Sequence, residues 1–175
     1  MIDVKTVALE SGFSAAADLN PSALCFRPEV RDMCRADRCR SFGQRWSCPP
    51  GCGELELWRS RAAGYRRGVL LQTIGPREDS FDWEAAEAVA GQNAESLRRL
   101  LTRLRAEGLD FLPMGAGTCT RCAVCTYPDA PCRHPETLAP SMEACGLVVS
   151  EVCRACSLPY YYGEQRVAFT CCVLF

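Results

Sequence analysis

Cys119-Thr-Arg-Cys122-Ala-Val-Cys125-Thr-Tyr-Pro-Asp-Ala-Pro-Cys132-Arg-His-Pro135 is the stretch that decides how the rest of the chain is read. Three cysteines fall three residues apart, and a fourth follows seven positions later among prolines. A Cys-x2-Cys-x2-Cys run is the spacing by which an iron–sulfur loop wraps three corners of a [4Fe–4S] cube. A cubane needs thiolates converging from several directions. Two intervening residues let successive sulfurs turn inward while backbone N–H groups face the cluster. Zinc is more often gripped by two separated Cys-x2-Cys pairs, so iron–sulfur is the first expectation and zinc the alternative.

Outward from that stretch, composition narrows the setting. The chain has 175 residues, 48% apolar and 23% charged, with a net charge of -1. Those are ordinary values for one soluble domain spanning 1–175, and they give no global argument for nucleic acid or an anionic membrane as partner. Its 14 cysteines are the outlier. Such a density means disulfides or metal, and compartment decides between them. The first ten residues lack a basic segment followed by an apolar one, and no apolar run reaches membrane-spanning length. The reading therefore expects a reducing, cytoplasmic setting in which thiols stay free for metal. Cys172-Val-Leu-Phe175 formally fits a lipidation box, but a buried strand over Val167–Phe175 is the expected reading.

A second constellation precedes the first: Cys34-x4-Cys39-x8-Cys48-x3-Cys52, in a loop spanning 34–53. Within it Trp46-Ser-Cys-Pro-Pro-Gly51 mixes prolines, which fix φ, with a glycine, which lets backbone approach a bulky ligand. Four cysteines there suit a second cluster or an all-thiolate zinc site. A radical S-adenosylmethionine loop is excluded, because the position that its third cysteine needs holds Leu55. With one histidine in the chain, His134, mixed Cys/His ligation is disfavoured. Two four-thiolate sets are thus arithmetically available, 34/39/48/52 and 119/122/125/132, and the closing ligand of each stays open, since Cys132 and Cys52 are both placed to cross over. Arg35, Arg38, Arg40 and Arg45 surround the first set, and Arg121 and Arg133 flank the second. Either they offset the negative charge of a thiolate-bound cofactor or they are solvated loop residues.

Between these loops the chain reads as elements of an α+β domain with a small mixed sheet and flanking helices. Residues 2–10 suggest a strand and Ser14–Leu19 a short helix. Glu54–Ala63 reads as a helix, Tyr65–Ile74 as a buried strand, and Trp83–Glu107 as a long helix capped by Asp82 and stopped by Gly108. Trp83, Ala86, Ala90, Leu97, Leu101 and Leu104 give that helix an apolar face. Leu109–Gly115 suggests a strand that delivers the chain into the 115–135 loop. Ser141–Gly146 reads as a helix end and Val148–Cys156 as a helix; Cys153 and Cys156, with Cys145, either are buried residues of that amphipathic helix or bind another ion or form a redox pair.

The combination Cys34-x4-Cys39, Phe42-Gly43, Trp46-Ser-Cys-Pro-Pro50, Gly115-Ala-Gly-x-Cys-x2-Cys-x2-Cys-Thr-Tyr-Pro128, Pro131-Cys-Arg-x-Pro-Glu136 and Ser141-Met-Glu-Ala144 resembles a prokaryotic family of unknown function labelled predicted metal-binding proteins, with its ferredoxin-like cysteine loop. The likeness runs over nearly the whole chain. It implies a cysteine-ligated metal, with Cys34, Cys39, Cys48, Cys119, Cys122, Cys125 and Cys132 carried over directly. Cys145 stands where that pattern expects an aromatic residue. The expectation is one or two [4Fe–4S] clusters and electron transfer with a redox partner protein. The alternatives are an enzyme with an open cluster iron and a zinc-bound adaptor.

Overall fold

The apolar runs around Val69 and Val173 pair with each other, and the remaining elements are laid against that pair. Gly68–Pro76 (β2) runs antiparallel to Arg166–Leu174 (β4), from Gly68 opposite Leu174 to Pro76 opposite Arg166. The computed structural model describes residues 2–175. In it Ala15–Leu19 (β1) extends the sheet beside β2, and Leu112–Met114 (β3) extends it beside β4, giving the order β1-β2-β4-β3. The α+β class holds. The sheet is not mixed, however: all three pairings are antiparallel, and the parallel contact is an isolated bridge between Gly115 and Ser141.

Successive strand side chains alternate between faces, and this divides the core. Val69, Leu71, Cys171 and Val173 meet the helices Val4–Glu10 (α1) and Trp83–Ala106 (α4). Leu70, Cys172 and Leu174 meet Leu55–Ala63 (α3) and Val149–Ala155 (α5) on the opposite face. Cys171 and Cys172 are both fully buried, each in a different cluster, as neighbours on a strand must be. The remaining helix, Pro28–Arg35 (α2), leads into the first cysteine loop.

Two readings near the N-terminus exchange places. The strand expected over residues 2–10 is replaced by the helix Val4–Glu10. Val4, Val7 and Ala8 recur at three and four positions and are buried, and the Asp3 carboxylate caps the first turn by accepting from Lys5 N (3.2 Å) and Thr6 Oγ1 (2.7 Å). Ser14–Leu19, expected as a helix, is β1. Alanine's helix propensity is a fraction of a kilocalorie per residue and yields to pairing with β2. The Ser141–Gly146 stretch is a run of turns rather than a helix end, with Cys145 N donating to Ser141 O (2.9 Å). The strand expected over Leu109–Gly115 narrows to β3.

Helix α4 starts and stops as read: Asp82 accepts from Ala85 N (3.0 Å), and Gly108 follows at φ 69°. Its buried face is rotated from the expected one, with Val89, Asn93, Leu97, Leu100, Leu101 and Leu104 inward and Trp83 71% exposed.

Burial pushes the Cys171 thiol up to about 12, against a smaller lowering from Asn93. A thiol that stays protonated when folded but ionises near its ordinary 9.0 when unfolded stabilises the fold fully below pH 9. That contribution is lost as pH rises from 9 towards 12. Denaturant midpoints should therefore fall between pH 7 and pH 10, and fall less in Cys171→Ala. Equal pH dependence in the two proteins would count against this assignment.

Candidate metal centre

The connection leaving β3 makes almost no regular structure before the short 3-10 turn Pro135–Thr137, yet its four cysteines line one cavity. Cys119, Cys122, Cys125 and Cys132 share that wall with Arg121, Arg133 and His134. The loop is folded back on itself by a few bonds: Ala130 N donates to Thr126 O (2.9 Å), Thr126 Oγ1 to Pro131 O (2.9 Å), and Arg133 Nη1 to Val124 O (2.9 Å). Arg121 Nη1 donates to Thr137 Oγ1 (2.6 Å), closing the loop onto the turn beyond it. The backbone N–H of His134 points at Cys132 Sγ (3.4 Å).

The first cysteine loop supplies the rest of the wall. Ser47 Oγ accepts from Cys119 N (3.3 Å), Arg45 Nη1 donates to Cys119 O (3.0 Å), and Thr118 Oγ1 lies 3.2 Å from Cys48 Sγ. Trp46 donates to Ala130 O (3.0 Å) and meets Tyr127 edge-on at 4.9 Å. Gly51 makes this interlock possible, because a Cβ there would sit 2.7 Å from Arg45 O and 2.9 Å from the Tyr127 ring. Arg45 therefore belongs to the 119/122/125/132 cavity rather than to the set beside which it lies in sequence. Arg35, Arg38 and Arg40 are exposed, and Arg35 is paired with Asp32.

Around the 34–53 loop the thiols gather on a residue that sequence reading did not single out. Arg31, on α2, is only 8% exposed. Its guanidinium donates to Ala144 O (2.7 Å) and Gly53 O (2.7 Å) and lies 3.8 Å from Cys52 Sγ. Cys34 and Cys52 are both within electrostatic reach of Arg31 and of Cys48, while Cys39 is exposed at the edge and coupled to Cys34. Cys145 is wholly buried beside Cys52 and Arg31. Among the described residues no ion pair includes Arg31. A buried cation without an ion-paired carboxylate is costly unless an anion stands nearby, and the groups around it that can be anionic are these thiols and the Glu143 carboxylate, which lies within electrostatic reach of Cys34 and Cys145. No local signal in the sequence marks it, since the same helix also carries Arg35 and follows Arg27.

Cys125 in one set and Cys34 and Cys52 in the other are shifted in opposite directions. Burial tends to raise the Cys125 thiol, but hydrogen bonds from the backbone of Tyr127 and Trp46, together with Arg45, outweigh it and hold the thiol below its ordinary value. Burial pushes Cys52 up to about 11, against a partial offset from Arg31, and raises Cys34 in the same way. All fourteen cysteines are free thiols. Among the described residues no three Cys, His, Asp or Glu side chains close around a point that one ion would fill. The four loop thiols surround a cavity instead. Four soft donors with arginines at the rim and no carboxylate among the lining residues suit a thiolate-bound metal group.

The remaining candidates have structural work. Cys153 is buried on α5 and accepts from Gln72 Nε2 (3.7 Å). Tyr162 donates to Gln72 Oε1 (2.7 Å), while Tyr160 and Tyr161 are exposed. Among the described residues no helix is long and apolar enough to cross a membrane.

A family model described as "Predicted metal-binding protein (DUF2284)" matches residues 17–175. No curated protein and no solved structure matches the chain.

Proposed function

The chain belongs to this family of predicted metal-binding proteins, and from that premise we propose that it is an iron–sulfur protein that exchanges electrons with a partner redox protein. Cys119, Cys122, Cys125 and Cys132 would hold a [4Fe–4S] cluster, and Cys34, Cys39, Cys48 and Cys52 a second centre. The observation that carries the reading is the single cavity lined by all four cysteines of the Cys-x2-Cys-x2-Cys-x6-Cys run. When bound, such a cluster supplies one-electron oxidation and reduction.

The chain's own groups fit that role. Four thiolates on an oxidised cube leave about two net negative charges, which Arg45, Arg121 and Arg133 at the cavity wall would offset. An all-thiolate zinc ion carries the same charge, so the arginines do not choose between the metals; the tight triple spacing favours iron. Backbone N–H groups aimed at Cys125 and Cys132 would stabilise their thiolates. Val124, between two of the ligands, is 75% exposed and places apolar surface directly outside the cavity, where a partner would dock. A reducing cytoplasm, which keeps thiols free, belongs to the same reading.

One observation favours a second reading, an enzyme with an open cluster iron. Cys34, Cys48 and Cys52 are at least partly enclosed, with Arg31 beside Cys34 and Cys52, whereas Cys39 is exposed.

Anaerobic purification followed by iron, zinc and acid-labile sulfide analysis tests the proposal. A brown protein with about four irons and four sulfides per occupied centre is expected. A colourless protein loaded with zinc under the same conditions would remove the electron-transfer reading and leave a structural metal domain.

A further inference from the structure

A separate cavity of about 350 Å³ adjoins the cysteine cavity and shares Cys119, Arg121 and Thr137 with it. One wall is α4, through Gly91, Glu95 and Arg98, and the other is the Gly115–Arg121 connection. The electron-transfer reading uses only its shared edge, Cys119 and Arg121.

Gly91 is the first indication. It lies inside a 24-residue helix, where glycine is less stable than alanine, and a Cβ built there would meet no atom within 4 Å. Packing explains other glycines: a Cβ at Gly51 or Gly75 would clash at 2.7 Å and 2.2 Å. At Gly91 no protein neighbour does so, and what its missing side chain preserves is room in the cavity.

Charge is the second. Glu95 is shared by Arg98 and Arg99, which leaves one positive charge uncompensated in that group. Arg121 donates to a neutral hydroxyl, Thr137 Oγ1, and has no carboxylate partner in the ion pairs of the described residues. The lining also includes Thr118, Thr120 and Thr137. Among the described residues, the backbone N–H groups of Ala116, Gly117 and Thr118 donate to no acceptor within the chain.

We infer that this cavity binds a small molecule bearing an oxyanion, a phosphate or a carboxylate, held between Arg98 and Arg121 and lying against Cys119. Guanidinium forks recognise either group bidentately, and the small residues opposite admit the ligand body. This recognition requires neither iron nor zinc, so it stands or falls apart from the choice of metal.

The full chain, purified anaerobically with its metal, would be titrated calorimetrically with inorganic phosphate and, in parallel, with acetate, at ionic strength held constant with chloride. Saturable one-to-one binding of either probe is expected, and the probe that binds tells phosphate from carboxylate recognition. Arg98→Gln should weaken that binding at least tenfold. Gly91→Leu should abolish it while raising the melting temperature, because leucine is the better helix former and the cavity is filled. Metal content measured on the same samples keeps a failure of the iron assignment distinct. Absence of saturable binding by both probes, or unchanged affinity in Gly91→Leu, overturns the inference.

Discussion

With the proposed ligation, Cys125→Ser should leave the 115–135 loop unable to hold a metal while the rest of the domain stays folded. Structural thiolate–metal sites are worth about 10–16 kcal/mol over four ligands, which is roughly 3 kcal/mol, or about a hundredfold in affinity, for each. At Cys125 burial acts to raise the thiol, but the Tyr127 and Trp46 backbone and Arg45 outweigh it and hold the thiol below its ordinary value, which favours the thiolate that a metal requires. The serine hydroxyl does not ionise at neutral pH and cannot replace it. The loop has little else to keep its shape. Its internal backbone bonding is sparse, and its contacts run to Arg45, Trp46 and Ser47. Both core clusters lie elsewhere, around β2 and β4, and contain none of its cysteines. The variant should therefore keep its far-ultraviolet circular dichroism, lose the metal of one centre, and become open to trypsin after Arg121 and Arg133, both exposed. Unchanged metal stoichiometry would show that the cavity's cysteines are not ligands.

What could be seen beforehand follows from where the physics is local. Helix α4 and strand β4 were legible because a cap, a stop and an apolar run are encoded within a few residues. That Cys119, Cys122, Cys125 and Cys132 line one cavity was legible for the same reason, since their close spacing keeps them on one loop. Ala15–Leu19 was not, because its conformation is set by a partner strand that begins at Gly68, far along the chain. The site's second half was hidden likewise. Arg45 stands among the cysteines of one set and serves the other through Cys119 O, a contact fixed only once Gly51 brings Tyr127 against the first loop. Arg31 is one of many arginines, and nothing short of the turn at Ala144 distinguishes it.

Arg31→Met is expected to be the most damaging single change outside the two hydrophobic clusters. It removes a guanidinium that bridges Ala144 O and Gly53 O at 2.7 Å each, tying the 141–147 turns to the end of the first cysteine loop. Leaving a buried acceptor unpaired costs about 1–3 kcal/mol, so two together approach 3–5 kcal/mol, a large share of a typical domain's 5–15. For a chain of this length that is a fall in Tm of roughly 10 °C. Arg31→Lys separates the two roles of the side chain. A lysine keeps the charge near Cys52 but loses the planar fork that reaches two carbonyls at once. If the cation's chief work is to offset an anionic thiolate centre at Cys34, Cys48 and Cys52, the lysine variant should retain metal in that set, with partial loss of stability. The methionine variant should lose both. If bridging alone matters, the two variants should melt alike and keep equal metal. Melting curves and metal analysis of the pair decide this, and a methionine variant within about 2 °C of the parent would mean that the buried guanidinium supports neither the fold nor the centre.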